Sequence, residues 1–172
     1  MPISHPANAA PILQRVAELR PSTILDLGVG YGDYGPRLRG LWPKALIFGF
    51  EAFGNYRNER WYSYDSVDVA DFTQYALSGF DLVLMIDSLE HLEPNIAGIT
   101  LASLITRNKN VIVSVPEGHY PQGPVNGNKF EIHRSTWTAN DLECRGGRIV
   151  SRHAIDKGLG IVAEFEEPVP CQ

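Results

Sequence analysis

The sequence predicts an α/β protein built on a mostly parallel sheet that ends antiparallel. Three observations carry this. Short apolar runs alternate with stretches that repeat apolar residues every three or four positions, the pattern of strands joined by crossover helices. One run, Ile24-Leu25-Asp26-Leu27, passes without a break into a loop with glycine at positions 28, 30 and 32. The last two strand-like runs are joined by Asp156-Lys157-Gly158-Leu159-Gly160, which reads as a hairpin turn.

The elements follow in order. Residues 9–20 carry Ile12, Leu13, Val16 and Leu19 at helical spacing, and Pro21 stops that helix. Residues 23–28 and 45–51 read as buried strands. The stretch 53–68 is rich in Tyr, Asn and Ser and shows no clear period; a short strand is expected near 64–68, then a helix over 71–77. Residues 80–86 form a fourth strand, 94–106 a helix, and 110–115 a fifth strand ended by Pro116. A long loop spans 117–134, and a connection of that length inside a compact domain is more often functional than not. A short helix over 135–143, capped by Ser135, precedes strands at 148–155 and 160–166.

The 172 residues suffice for one domain with a core, and the whole chain, 1–172, is read as that domain. A hydrophobic content of 44% with 20% charged residues indicates a folded chain. The net charge of -5 argues against a general nucleic-acid binder. Cys144 and Cys171 match no metal or redox spacing and are read as reduced thiols. With no leader pattern and no apolar run near the ~20 residues of a membrane span, a cytoplasmic protein without a membrane partner is expected.

The glycine loop suggests a ligand. Glycine lets a backbone pass close to a bound group and take positive φ. Asp26 stands at the carboxyl end of the first strand, the edge where open α/β sheets bind ligands. An ionised Asp there suits a cationic amino group and repels a pyrophosphate, which favours S-adenosylmethionine. Glu51, at the end of the second strand, is placed to accept hydrogen bonds from ribose hydroxyls. The rival is a dinucleotide: Gly30-Tyr31-Gly32-Asp33-Tyr34-Gly35 also fits G-x-G-x-x-G, with Glu51 at about the right distance.

Taken together, these residues resemble the class I methyltransferase family. Asp26-Leu-Gly28-Val-Gly30-Tyr31-Gly32 resembles its first motif, Glu51 its ribose acid, and the run from Phe80 through Asp87 and Glu90-His91-Leu92 its fourth-strand motif. Residues 121–137 are similar to a loop of bacterial and phage methyltransferases of unassigned substrate. The resemblance implies a Rossmann-like three-layer α/β/α sandwich whose seven-stranded sheet has its last strand antiparallel. It also implies S-adenosylmethionine as cofactor, held by Asp26, Gly28, Gly30, Tyr31, Gly32, Glu51, Asp68, Val69 and Asp87, with Asp68 on the adenine amine.

Methyl transfer needs alignment, exclusion of water and sometimes removal of a proton. Candidates at the carboxyl ends of the fourth and fifth strands are Asp87, His91, Glu117, His119, Glu131, His133 and Arg134. His133 is the first choice as general base and His91 the second, since imidazole titrates near neutrality. A metal site from His119 and His133 with Glu117 or Glu131 lacks any short ligand spacing, and no metal is expected. The expected partner is a small-molecule acceptor, methylated at oxygen or nitrogen, with a homodimer left open. The alternatives are a non-catalytic binding or partner subunit of the same fold and an NAD-type protein.

Overall fold

The computed structural model describes residues 4–166; Cys171 lies outside them. Helix α1 (Pro6–Leu19) leads into strand β1 (Thr23–Leu27). Helix α2 (Tyr34–Leu41) precedes β2 (Leu46–Glu51), β3 (Ser66–Val69) and β4 (Leu82–Ile86). Helix α3 (Pro94–Arg107), β5 (Asn110–Pro116) and the short α4 (Ala139–Glu143) follow. The strands β6 (Arg148–Ile155) and β7 (Gly158–Glu166) end the described chain.

The seven strands form one sheet in the order β3-β2-β1-β4-β5-β7-β6. β3, β2, β1, β4 and β5 pair in parallel, and β7 is antiparallel to both neighbours. Side chains alternate between the two faces, as the two-residue period of a strand requires. Ile24, Leu82, Leu84, Ile112 and Val162 pack with Ile12 and Val16 of α1 and Leu38 of α2. Leu25, Val83, Met85, Val113 and Ala163 pack on the other face with Ala97, Leu101 and Leu104 of α3 and Leu142 of α4. The result is the expected three-layer α/β/α arrangement. Both faces are covered, which is why the strand sequences read as unbroken apolar runs. No helix among the described residues is long and apolar enough to cross a membrane.

Four local expectations change. Helix α2 had no signal in the sequence, because Gly35, Pro36 and Gly40 are poor helix formers; Pro36 is tolerated since it falls in the first turn, where amides lack helical partners. The helix expected over 71–77 is a single 3-10 turn, Phe72–Gln74. Phe72 is the one buried residue of that turn, and Tyr75 is already extended, so no apolar face drives further turns. Thr138, not Ser135, caps α4, in a reciprocal box with Asp141. Pro116 is the last residue of β5, opposite Gly160, rather than its stop.

Candidate active site

A cavity of about 410 Å³ opens at the carboxyl edge of the parallel strands, a size suited to a cofactor or small ligand. Topology puts it there: β1 and β4 are neighbours whose crossovers leave to opposite sides, and a crevice opens where the chain order reverses. Asp26, Gly28 and Gly30 line it from β1 and its loop, Glu51 and Ala52 from β2, and Asp71 and Phe72 from the turn after β3. Asp87, Ser88, Glu90 and His91 follow β4, and Glu131 and His133 come from the long loop. Eight carboxylic acids and no lysine or arginine stand in this lining.

The glycine-loop side is densely wired. Glu51 is buried and accepts the Gly30 amide at 2.7 Å through Oε2 and the Phe53 amide at 2.8 Å through Oε1. Burial holds its carboxyl above the usual range against those two hydrogen bonds. Asp26 accepts the Tyr64 hydroxyl at 2.6 Å, and burial pushes its pKa up to about 6. The Trp61 indole donates to the Gly30 carbonyl at 3.0 Å, and Asn58 donates to the Tyr31 carbonyl at 3.0 Å. The aromatic stretch after β2, featureless in the sequence, is thus the clamp on the loop. Two glycines are sterically required. Gly28 has φ +89, and a Cβ there would stand 2.8 Å from Cβ of Ser88. At Gly35 a Cβ would meet the Tyr64 ring at 2.3 Å, so this glycine lets α2 press on the residue that holds Asp26.

Asp87 is the junction between the sheet and the start of the described chain. It adopts φ +49, uncommon for a residue with a side chain. Its carboxylate accepts from Ser4 Oγ at 2.7 Å, Asn8 Nδ2 at 2.9 Å, Ser114 Oγ at 2.7 Å and the His5 amide at 3.2 Å. Ser4, His5, Pro6 and Asn8 are thereby laid along the cavity, a contribution that no motif announces.

The histidine side differs. His133 Nδ1 lies 2.6 Å from the Tyr120 carbonyl and His91 Nδ1 3.4 Å from the Ile132 carbonyl. A carbonyl only accepts, so in each neutral ring Nδ1 carries the proton and Nε2 the lone pair. The two rings meet edge to face, centroids 5.0 Å apart. Burial lowers both imidazoles, His91 to about 4. Glu90, 2% exposed, is pushed well above the carboxylate range by burial, and its Oε2 has no hydrogen-bond partner among the described residues. Its Oε1 stands 4.0 Å from His133 Nε2. Tyr56 fixes the long loop, donating to Glu131 Oε1 at 3.0 Å and accepting from Asn128 at 3.1 Å.

Of the residues singled out by sequence, Asp26, Gly28, Gly30, Glu51, Asp87, His91 and His133 line the one cavity. Tyr31, Gly32, Asp68 and Val69 do not. Gly32 packs against Trp61 and Tyr31 against Tyr56. Asp68 and Val69 sit within β3, opposite Phe50 and Glu51, so the rim beyond that strand falls to Asp71 and Phe72. Among the loop candidates, Glu117 pairs with Arg152 at 2.5 Å, Arg134 with Glu93 at 3.5 Å, and His119 is exposed. The cluster that forms is Glu90, His91 and His133, in place of the His119 combinations.

No family model and no curated protein matches the chain. Solved structures do. The N-terminal domain of EvdMO1 with SAH bound is 15% identical, covers 92% of this chain and 82% of its own, and superposes with a TM-score of 0.70. The methyltransferase domain of a bacterial Hen1 is 18% identical over 92% and 95%, TM-score 0.68. Magnesium protoporphyrin IX methyltransferase from Synechocystis, with bound SAH, is 15% identical over 89% and 78%, TM-score 0.64. With the strand order and the reversed β7, these likenesses give the chain the fold of the class I S-adenosylmethionine-dependent methyltransferases.

Proposed function

We propose that the protein is an S-adenosylmethionine-dependent methyltransferase acting on a small-molecule acceptor. The observation that carries this is the charge of the cavity: eight carboxylic acids, no lysine and no arginine. A dinucleotide would bring a pyrophosphate into that field without a cation to meet it. S-adenosylmethionine brings an ammonium and a sulfonium, and its charge complements the site.

Asp26 would face the ammonium, Glu51 the ribose hydroxyls, and Asp71 with Phe72 the adenine. Bound there, the cofactor supplies an electrophilic methyl on sulfur. Transfer breaks the methyl–sulfur bond, forms a bond to the acceptor's oxygen or nitrogen, and releases the acceptor's proton. His133 and His91 are the catalytic candidates, because both line the cavity and both keep an Nε2 lone pair when neutral. Packing two reactants in one closed site supplies much of the rate through alignment.

Calorimetry with S-adenosylmethionine and with NAD tests the reading. Saturable binding of the first and none of the second is expected; the reverse overturns it. Transfer of a labelled methyl to a panel of hydroxyl and amine acceptors then separates an enzyme from a binding subunit. With a working acceptor, His133→Ala is expected to lower kcat by 100-fold or so while cofactor affinity holds. Unchanged turnover removes His133 from the chemistry.

A further inference from the structure

Glu90, His91 and His133 each offer one ligand atom within 4.8 Å of the other two. Three features separate this trio from an ordinary buried polar cluster. The Glu90 carboxylate is almost wholly buried, lines the cavity and leaves Oε2 with no partner among the described residues. Buried polar atoms are nearly always satisfied, so an orphan of this kind asks for a ligand from outside the chain. Both imidazoles donate their Nδ1 protons to backbone carbonyls, those of Tyr120 and Ile132. That is the outer-shell arrangement that orients a metal-binding histidine and presents Nε2 as the ligand atom. Finally, the loop is tied to the sheet at this point: the Arg134 and Ser135 amides both donate to the Glu90 carbonyl, at 2.8 and 3.0 Å. The backbone therefore fixes His133 relative to Glu90 and His91, although the long loop and helix α3 lie between them in sequence.

We propose that Glu90, His91 and His133 form a divalent-cation site in the wall of the cavity where the segment after β4 meets the long loop, contrary to the expectation of no metal drawn from ligand spacing alone. Bonds of about 2.0–2.1 Å at tetrahedral angles put two ligand atoms on one ion about 3.4 Å apart, so from separations of up to 4.8 Å the side chains close on the ion by rotamer adjustment. Two imidazole nitrogens and one carboxylate oxygen favour a first-row transition ion over Mg²⁺ or Ca²⁺. Three protein ligands leave coordination positions open toward the cavity. On the methyltransferase reading, which this last step rests on, those positions suit an acceptor that presents an ionisable hydroxyl. In this arrangement both Nε2 atoms serve as ligands and not as a base: the cation lowers the pKa of that hydroxyl, the proton leaves to water, and the oxygen is left poised for the methyl.

The test uses the full chain, stripped with a chelator and exchanged into metal-free buffer, with Mn²⁺ and Zn²⁺ titrated calorimetrically in the absence of cofactor and acceptor. One ion per chain is expected, and Glu90→Gln and His133→Asn are each expected to weaken binding at least about tenfold. His119→Asn, on the exposed part of the same loop, is expected to bind as the parent does. Far-ultraviolet circular dichroism and S-adenosylmethionine binding report whether each variant folds, and His133, less buried than Glu90, supplies the second variant if Glu90→Gln does not. Absence of saturable binding by the parent, or equal affinity in a folded His133→Asn variant, overturns the site. Neither result bears on cofactor binding, which is measured separately.

Discussion

Asp26 and Glu51 at the ends of β1 and β2, and Glu90 after β4, are all buried carboxylic acids of the one cavity, yet the chain treats them differently. Asp26 is met by Tyr64, and both oxygens of Glu51 are met by backbone amides. Glu90 has an oxygen that nothing answers among the described residues. The first pair is finished by the protein itself, and a ligand joins groups whose positions are already set. Glu90 is left incomplete, so whatever binds there has to bring its own hydrogen-bonding or coordinating groups. Preorganisation where the ligand is constant, and open valence where the reacting partner enters, is a division of labour that a single cavity can hold.

The contrast can be broken most forcefully at Glu51. Glu51→Ala removes the acceptor for both the Gly30 and Phe53 amides as well as for the ribose. Two charge-assisted hydrogen bonds to the ribose hydroxyls, made only in the complex, predict about 3 kcal/mol, or roughly 100-fold weaker S-adenosylmethionine binding by calorimetry. A loss of only a few-fold would mean that the ribose does not depend on this acid.

A smaller effect comes from pH. Asp26 in the free protein has a pKa of about 6, raised by burial and by the charge of Glu51, with the Tyr64 hydroxyl opposing. The neighbouring Tyr34 hydroxyl stays protonated, since burial pushes its pKa up. A bound ammonium favours charged Asp26, so below pH about 6 the site must give up a proton to bind. Affinity is therefore expected to rise about tenfold between pH 5 and 7, over which the cofactor's amino group stays protonated. Asp26→Asn is expected to lose most of that slope. In the free protein the same raised pKa has the opposite sign: stability falls as pH rises from the unfolded value through about 6.

The smallest effect sharpens the boundary of the site. Asp68 is exposed within β3 and outside the cavity, so Asp68→Ala is expected to change cofactor affinity less than about twofold. A tenfold loss would return the adenine to Asp68 and away from Asp71.

Much of the sheet was legible because the central strands β1, β4 and β5 are buried on both faces and read as unbroken apolar runs. The glycine-loop side was legible for a related reason: Asp26, Gly28, Gly30 and Glu51 lie at strand ends, where sequence position and spatial position coincide. The rest was not. Trp61 and Tyr64 clamp the loop from a stretch of 3-10 turns that has no period to read. Asp71 and Phe72 became the rim because β3 runs to Val69, a matter of register one or two residues beyond what apolar pattern resolves. The ligand trio escaped because its third member arrives through a long loop, and short ligand spacing is the only metal signal a sequence displays. Within it, Glu90 and His91 are adjacent in sequence, which for a strand end is a closer pairing than the separated histidines first considered.

Asp87 draws Ser4, His5 and Asn8 across the top of the sheet, whereas β7 ends at Glu166 opposite Asn110, where β5 begins. The first and last described residues thus lie at opposite poles of the sheet. A probe that displaces Ser4 or Asn8 acts on the clasp on Asp87 and on the cavity wall together. A label placed at Glu166 sits at the far pole of the sheet, away from the cavity, and leaves that clasp untouched.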